Sequence, residues 1–325
     1  MPKPGGPSTV LLAGTPRCGS TWLANVLGQA TATRTVYEPD GLISDILGAM
    51  VATRLGPFPV LQPGESSGWY KVVWDLAFAG GWPWDGVETA RAAGRRMAKV
   101  PPSVRDAAVV GLAVGTAHLR RRPSHVVVKS VNSAFALEWI ADRYAPQVVV
   151  LRRNPLNVIS SWLVLDMATT WPVGEHPYIR RHYLEPRGIT PPPPGSSPVA
   201  AMAWKVGLLM LALKETAERH PEFVQVSYDE LSADPVPGCQ ALFARLGWDW
   251  TDEAAEFLRK ADDPTFVVHG GNARAHPNAH TSTETTARRE QQSSQFRRRL
   301  TEDQIVEAHA VLAGFELGSW GPGPL

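Results

Sequence analysis

The sequence predicts an α/β protein of one domain, a central parallel sheet flanked by helices, and three observations carry that prediction. Short apolar runs at 10–13, 125–129 and 147–151 read as strands buried on both faces, because they are too short for ordinary helices and lack polar alternation. The second and third runs are separated by a helical stretch, 134–144, which implies a parallel pair joined by a right-handed crossover. The first run opens directly into a glycine-bounded loop and then a helix. That arrangement, over residues 8–27, is the one in which backbone N–H groups and a helix N-terminus converge on a phosphate.

Within this stretch the loop runs from Gly14 to Gly19, and the helix begins at Ser20, with Trp22, Leu23, Val26 and Leu27 on one face. The spacing fits the nucleotide-binding frame G-x-x-x-x-G-K-[ST], except that Ser20 stands at the lysine position. A nucleoside triphosphate enzyme uses that lysine on the β- and γ-phosphates. A site for a single 5′-phosphate manages with N–H groups, two hydroxyls and a nearby cation, which Arg17 supplies. Read alone, the stretch also fits a glycine-containing turn with no ligand.

The chain of 325 residues is long enough to bury a sizeable core, and its 44% hydrophobic and 19% charged residues are those of a globular protein. A net charge of +1 gives no bulk pull toward nucleic acid or an anionic membrane, so neither is expected as a partner. No stretch approaches the ~20 apolar residues of a membrane span. The two cysteines, Cys18 and Cys239, make no disulfide framework, and the N-terminus lacks the layout of a signal peptide. A cytoplasmic protein is the expectation, with its oligomeric state open.

Taken in order, residues 35–37 form a short strand ending at Glu38-Pro39. A carboxylate there lies on the edge where open α/β sheets place ligands, which makes Glu38 a candidate base, although on this stretch alone an acidic turn residue before proline fits better. A helix over 41–55 and a proline-rich loop over 56–68 follow. Trp69, Trp74, Phe78, Trp82 and Trp84 then make an aromatic segment that fits a core cluster or an apolar acceptor pocket. Helices are expected over 91–99 and 107–122, the second ending on the solvated basic run Arg120, Arg121, Arg122.

The second buried strand ends on Lys129. The third runs into Arg152, Arg153, Asn154 and Pro155, with a helix over 156–165. Lys129, Arg153 and the glycine loop thus share one sheet edge, which points to a ligand with more than one anionic group. Residues 166–198, with prolines at 191–194, form a long irregular insertion, either a lid or a surface loop. A helix over 199–220, a strand over 223–228, a turn over 229–235 and a helix over 238–246 complete the regular part. The polar segment 262–295 carries His269, His276 and His280 at spacings that match no metal-ligand pattern, and no metal is expected. A final helix covers 303–312.

Two of these stretches together resemble the sulfotransferases that use 3′-phosphoadenosine 5′-phosphosulfate (PAPS). Thr15-Pro16-Arg17-Cys18-Gly19-Ser20-Thr21-Trp22-Leu23 is similar to their 5′-phosphosulfate loop, and the segment from Val150 to Ser161, with Arg153 eight residues before Ser161, is similar to their 3′-phosphate segment. The stretch from Val226 to Leu231 is similar to a later strand whose tyrosine contacts adenine. The resemblance spans residues 15–246, and more weakly the tail to 312.

The resemblance implies a sulfotransferase variant of the P-loop-containing nucleotide hydrolase-like fold, with PAPS as donor and 3′-phosphoadenosine 5′-phosphate (PAP) as product. It places Arg17, Cys18, Gly19, Ser20, Thr21 and Trp22 at the 5′-phosphosulfate, Arg153 and Ser161 at the 3′-phosphate, and Tyr228 at the adenine. Lys129 stands at the lysine of the Lys-Thr-His motif of the cytosolic branch, but Val131 occupies the histidine position. Tyr37-Glu38-Pro39 is similar to the Glu-Pro of carbohydrate-type and bacterial members, which makes Glu38 the base, with His118, His125, Asp40, Asp75 and His176 as substitutes. The expected reaction is sulfuryl transfer to a hydroxyl, or less favourably an amine, of a small molecule or carbohydrate, with Arg17 and Lys129 offsetting the developing charge. A P-loop small-molecule kinase and a catalytically silent nucleotide-binding protein are the alternatives. Ser20 in the lysine position counts against the kinase.

Overall fold

The computed structural model describes residues 8–41, 46–81, 111, 123–167, 172–261 and 294–323. The expected helices over 91–99 and, residue 111 apart, 107–122 lie outside the described residues. So do Trp82, Trp84, His118 and the histidines of 262–293.

Five strands make one sheet: β1 (Ser8–Gly14), β2 (Thr33–Tyr37), β3 (His125–Ser130), β4 (Gln147–Arg152) and β5 (Val224–Ser227). All pairings are parallel and the order is β2-β3-β1-β4-β5. The sequence pattern implied that the strands joined by the 134–144 segment pair with each other, and they do not. Both pair with β1, which runs between them with Leu12 opposite Lys129 on one side and Val149 on the other. The unbroken apolar run Val10–Ala13 suits β1 to the centre of the sheet, where both edges are covered.

The side chains of each strand alternate between two helical layers. Leu11, Ala13, Val126, Val128, Val148 and Val150 pack on one face against α2 (Ile46–Leu55), α3 (Gly68–Phe78), α4 (Leu137–Tyr144), α5 (Pro155–Val164), α6 (Pro198–Arg219) and α10 (Glu302–Ala313). Val10, Leu12, Val127, Val149, Leu151 and Val224 pack on the other against α1 (Ser20–Leu27), α8 (Pro235–Leu246) and α9 (Asp252–Ala261). Burying each such side chain contributes about 1.5–3 kcal/mol. Helix α6 comes so close to the tail that a Cβ on Gly207 would lie 2.4 Å from the Phe315 ring.

Several local expectations change. Tyr228 is not the end of a strand but the first residue of a short helix, α7 (Tyr228–Ala233), capped by the Ser227 hydroxyl, and this helix replaces the turn expected over 229–235. α9 was not anticipated. Acidic residues Asp252 and Glu253 open it and Arg259 and Lys260 close it, which complements the helix dipole. The described part of the aromatic segment joins the core: Trp74 is buried, Trp69 and Phe78 pack partly buried against that core, Trp74 meets Tyr70 edge-on at 5.9 Å, and Tyr70 lies 5.2 Å from Trp139. Residues 173–187 of the insertion form short helical turns, with Val173, Ile179, Tyr183 and Leu184 buried in the main core. No helix among the described residues is long and apolar enough to cross a membrane.

Candidate functional site

The loop between β1 and α1 is built by two left-handed residues, Arg17 (φ 72°) and Gly19 (φ 94°), with the Cys18 N–H donating to the Thr15 carbonyl at 3.1 Å. This curl brings the N-terminus of α1 over the end of β1. No N-cap side chain closes that N-terminus, although the Ser20 N–H and hydroxyl both lean on the Cys18 thiol, and the helix start presents its positive end beyond the loop. Cys18 shapes the loop instead of facing outward. Its thiol is fully buried against Gly14, where a Cβ would lie 2.6 Å from the sulfur, and burial pushes its pKa up.

Helix α5 braces the loop from the side. The Trp162 indole donates to the Pro16 carbonyl at 3.0 Å, and Arg17 Nε donates to Ser161 Oγ at 3.0 Å. Arg153, between β4 and α5, donates from Nη1 to the Arg17 carbonyl at 3.0 Å. Its own segment is held by Asp229, which accepts from the Asn154 N–H at 2.6 Å, and by Asn154, which caps α5. The structure thus brings Arg17 to Arg153 and Ser161, which lie 136 and 144 residues away in sequence.

The cations here are concentrated, with Asp229 as the carboxylate that Arg153 feels. Arg17 is open to solvent on one side, yet the protein around its guanidinium and the nearby Arg153 both lower its pKa. Arg299 is lowered by burial and by the charges of Arg153 and Arg17. Among the described residues none of these three arginines is in an ion pair. Arg299 is the functional candidate that sequence reasoning missed. Its basic run, 297–299, was visible, but nothing local tied it to a loop 280 residues away. The tie is tertiary: Phe296 is buried, and its N–H donates to Asn157 Oδ1 on α5 at 3.0 Å.

Tyr228 lies over the loop. A Cβ on Gly19 would sit 2.2 Å from its ring, the Arg153 guanidinium stacks on it at 4.8 Å from the centroid, and Trp22 meets it edge-on at 5.8 Å. Two perpendicular rings and a guanidinium thus form an aromatic, cationic cluster beside the loop.

On the β2–β3 side the second group assembles. Glu38 leaves β2 in a left-handed conformation (φ 47°), donates its N–H to the Lys129 carbonyl at 2.7 Å, and closes a tight turn by accepting from the Gly41 N–H at 2.9 Å. Its carboxylate forms an ion pair with the Lys129 ammonium, and its other oxygen accepts from the Val131 N–H at 2.9 Å. The pair is well shielded, at 7% and 15% side-chain exposure for Lys129 and Glu38, which strengthens their attraction. The Lys129 charge also reaches Cys18, so this pair borders the phosphate loop.

Beside Glu38, Asp40 is fully buried and accepts from Ser130 Oγ at 2.8 Å and the Tyr70 hydroxyl at 3.0 Å. Burial, reinforced by the charge of Glu38, pushes its carboxyl up to about 6 from 3.8 despite these two hydrogen bonds. The folded protein therefore holds a proton that the unfolded chain releases. This carboxyl favours folding fully below pH about 4, and that contribution is lost as pH rises through about 6. The groups facing it are Glu38, Ser130 and Tyr70, with Lys129 beyond Glu38. In urea titrations, Asp40→Asn is expected to gain about 3 kcal/mol relative to wild type between pH 4 and pH 7. A difference between the two proteins that does not change with pH would contradict this.

The substitute bases are placed elsewhere. His125 starts β3, at the opposite end from Lys129, against Trp248 at 4.5 Å. Asp75 is engaged by Lys71 and by the Tyr144 hydroxyl, and His176 is exposed and caps a helical turn. Asp40 has no exposed surface through which an acceptor could reach it.

No protein-family model matches the chain, and no curated protein matches it. Among solved structures it is similar to the sulfotransferase domain from the curacin biosynthetic pathway, at 13% identity over 94% of this chain and 96% of that one, with a TM-score of 0.47. It is also similar to the sulfotransferase domain of the Synechococcus PCC 7002 olefin synthase, at 18% identity over 94% of each chain and a TM-score of 0.45. A third is mouse sulfotransferase SULT7A1 complexed with PAP, at 12% identity over 95% of this chain and 84% of that one, also with a TM-score of 0.45.

Proposed function

We propose that this protein transfers a sulfuryl group from PAPS to a hydroxyl of a small molecule or carbohydrate. The observation that carries the reading is the meeting, at one end of one sheet, of two unlike groups. One is an arginine cluster with an uncapped helix N-terminus. The other is a shielded Glu38–Lys129 pair beside it. A kinase of this architecture needs a lysine where Ser20 stands, whereas a donor with a 5′-phosphosulfate and a separate 3′-phosphate needs two anion sites. Arg17 with the α1 N-terminus, and Arg153 with Ser161, supply them.

The residues fit such a donor. Arg153 Nε is buried and has no hydrogen-bond partner, which leaves a donor group for a ligand oxygen. Gly19 leaves the backbone bare beneath the Tyr228 ring, where any Cβ would collide. Arg17, Ser20 and Thr21 would hold the 5′-phosphosulfate, Arg153 and Ser161 the 3′-phosphate, and Trp22 and Tyr228 the adenine. The donor supplies an electrophilic sulfur whose bond to the bridging oxygen breaks as the bond to the acceptor oxygen forms.

What the chain contributes is proton transfer and charge. Glu38 takes the acceptor hydroxyl proton, and Arg17 and Lys129 offset negative charge on the sulfonate and the departing oxygen. Lys129 and the Val131 N–H each take one Glu38 oxygen, and a remaining lone pair of the carboxylate accepts the proton while Lys129 stays beside the developing charge. The test is calorimetry with PAP, followed by a screen of hydroxyl acceptors with PAPS, read by mass for an added sulfonate. Binding with a Kd of about 10 µM or tighter is expected, as for a multiply contacted nucleotide. Absence of PAP binding together with magnesium-dependent ATP turnover would overturn the proposal.

A further inference from the structure

We infer that Asp40 is a positioning residue: through Ser130 and Tyr70 it locks the 38–41 turn, and with it the Glu38 carboxylate, onto the end of β3. The inference rests on the reading of Glu38 as the base. Three successive residues of β3 and its exit grip this turn. The Lys129 ammonium takes Glu38, the Ser130 hydroxyl donates to Asp40, and the Val131 N–H donates to Glu38. Side chains alternate across a strand, so Lys129 and Ser130 leave β3 on opposite faces and the turn straddles the strand end. The Ser130 oxygen is itself oriented by the Asn132 N–H at 3.1 Å, and the Tyr70 hydroxyl ties the clamp to α3.

Closing a tight turn does not by itself call for a buried carboxylate. An apolar residue would fill the space without the cost of removing a charge from water. What the carboxylate adds is direction: two acceptor oxygens aimed at hydroxyls on two different elements fix the turn in rotation as well as position. Glu38 needs this, because its left-handed backbone is a conformation that non-glycine residues keep only when their surroundings enforce it.

The test uses the full chain and two readouts. In Asp40→Ala, kcat at saturating donor and acceptor is expected to fall about 50-fold or more while the PAP Kd stays within about twofold, the split expected of a displaced base. Amide exchange at Val131 is expected to speed up about tenfold as its bond to Glu38 loosens. Asp40→Asn is expected to restore most of kcat and slow exchange at Val131, because the amide oxygen still accepts from one hydroxyl and the other hydroxyl reverses to accept from the amide nitrogen. Should the alanine variant fail to fold, Tyr70→Phe, which removes one of the two bonds, is expected to lower kcat about 3–10-fold with PAP binding intact. Wild-type Val131 exchange in Asp40→Ala overturns the inference, as does faster exchange with unchanged kcat, or PAP affinity falling in step with kcat. If the wild-type protein neither binds PAP nor transfers, the functional reading fails, and exchange at Val131 still decides the clamp.

Discussion

Glu38→Gln is expected to lower sulfuryl transfer by about 10²–10³-fold in kcat while the PAP Kd stays within about twofold of wild type. Glutamine keeps the shape of the side chain and can still accept from the Val131 N–H, so the turn survives. It cannot take a proton from the acceptor, and it removes the partner of a lysine that is 6% exposed. An ammonium left without its carboxylate at such a site costs about 3–5 kcal/mol of stability. The variant is therefore compared with wild type well below its melting temperature, with folding verified by circular dichroism. Product is quantified by mass and PAP binding by calorimetry. Full turnover in Glu38→Gln would remove this residue from the mechanism. Glu38→Asp, which retains a carboxylate but withdraws it by one methylene, is expected to fall between the two.

The second large effect is expected at the phosphate loop, where Gly19→Ala should weaken PAP binding by about 100-fold or more, about 3 kcal/mol at minimum. Two independent costs meet in one methyl group. A non-glycine residue held at φ 94° is strained by about 1–2 kcal/mol, and the added carbon would lie 2.2 Å from the Tyr228 ring. That ring cannot yield alone, because the Arg153 guanidinium stacks on it and Trp22 meets its edge. One substitution thus disturbs both the loop N–H groups and the arginine on the other anion site. Adding Tyr228→Leu to Gly19→Ala is expected to recover part of the fold and little of the affinity, which separates the collision from the loss of the aromatic surface. Wild-type PAP affinity in Gly19→Ala would refute the placement of the donor on this loop.

The chemistry of this site was written into the chain in local pieces. Gly14, Gly19 and Ser20 are legible because a backbone that must curl under a phosphate tolerates few alternatives, and Arg153 is legible because it ends an apolar strand. Arg17 and Lys129 are singled out by charge and by their positions in a strand-loop pattern, although their partners Ser161 and Glu38 are assigned only by the fold. Asp40 was visible only as one of several possible bases. Nothing local shows that its oxygens are already taken by Ser130 and Tyr70. Likewise Val131 marked a missing histidine, and only the fold shows its N–H serving Glu38.

The sequence by itself determined the class of the fold and marked the strand ends and the glycine-bounded loop that the proposed site uses. Those follow from hydrophobic periodicity and glycine placement, which act over a few residues. Tertiary structure alone decided that β1 lies between β3 and β4, that Tyr228 opens a helix and covers Gly19, and that Arg299 joins Arg17 and Arg153. It also decided that the turn carrying Glu38 is clamped by a buried carboxylate. These depend on contacts between residues as many as 280 positions apart. Such contacts are set by the packing of whole helices on a sheet, and no short-range pattern records them.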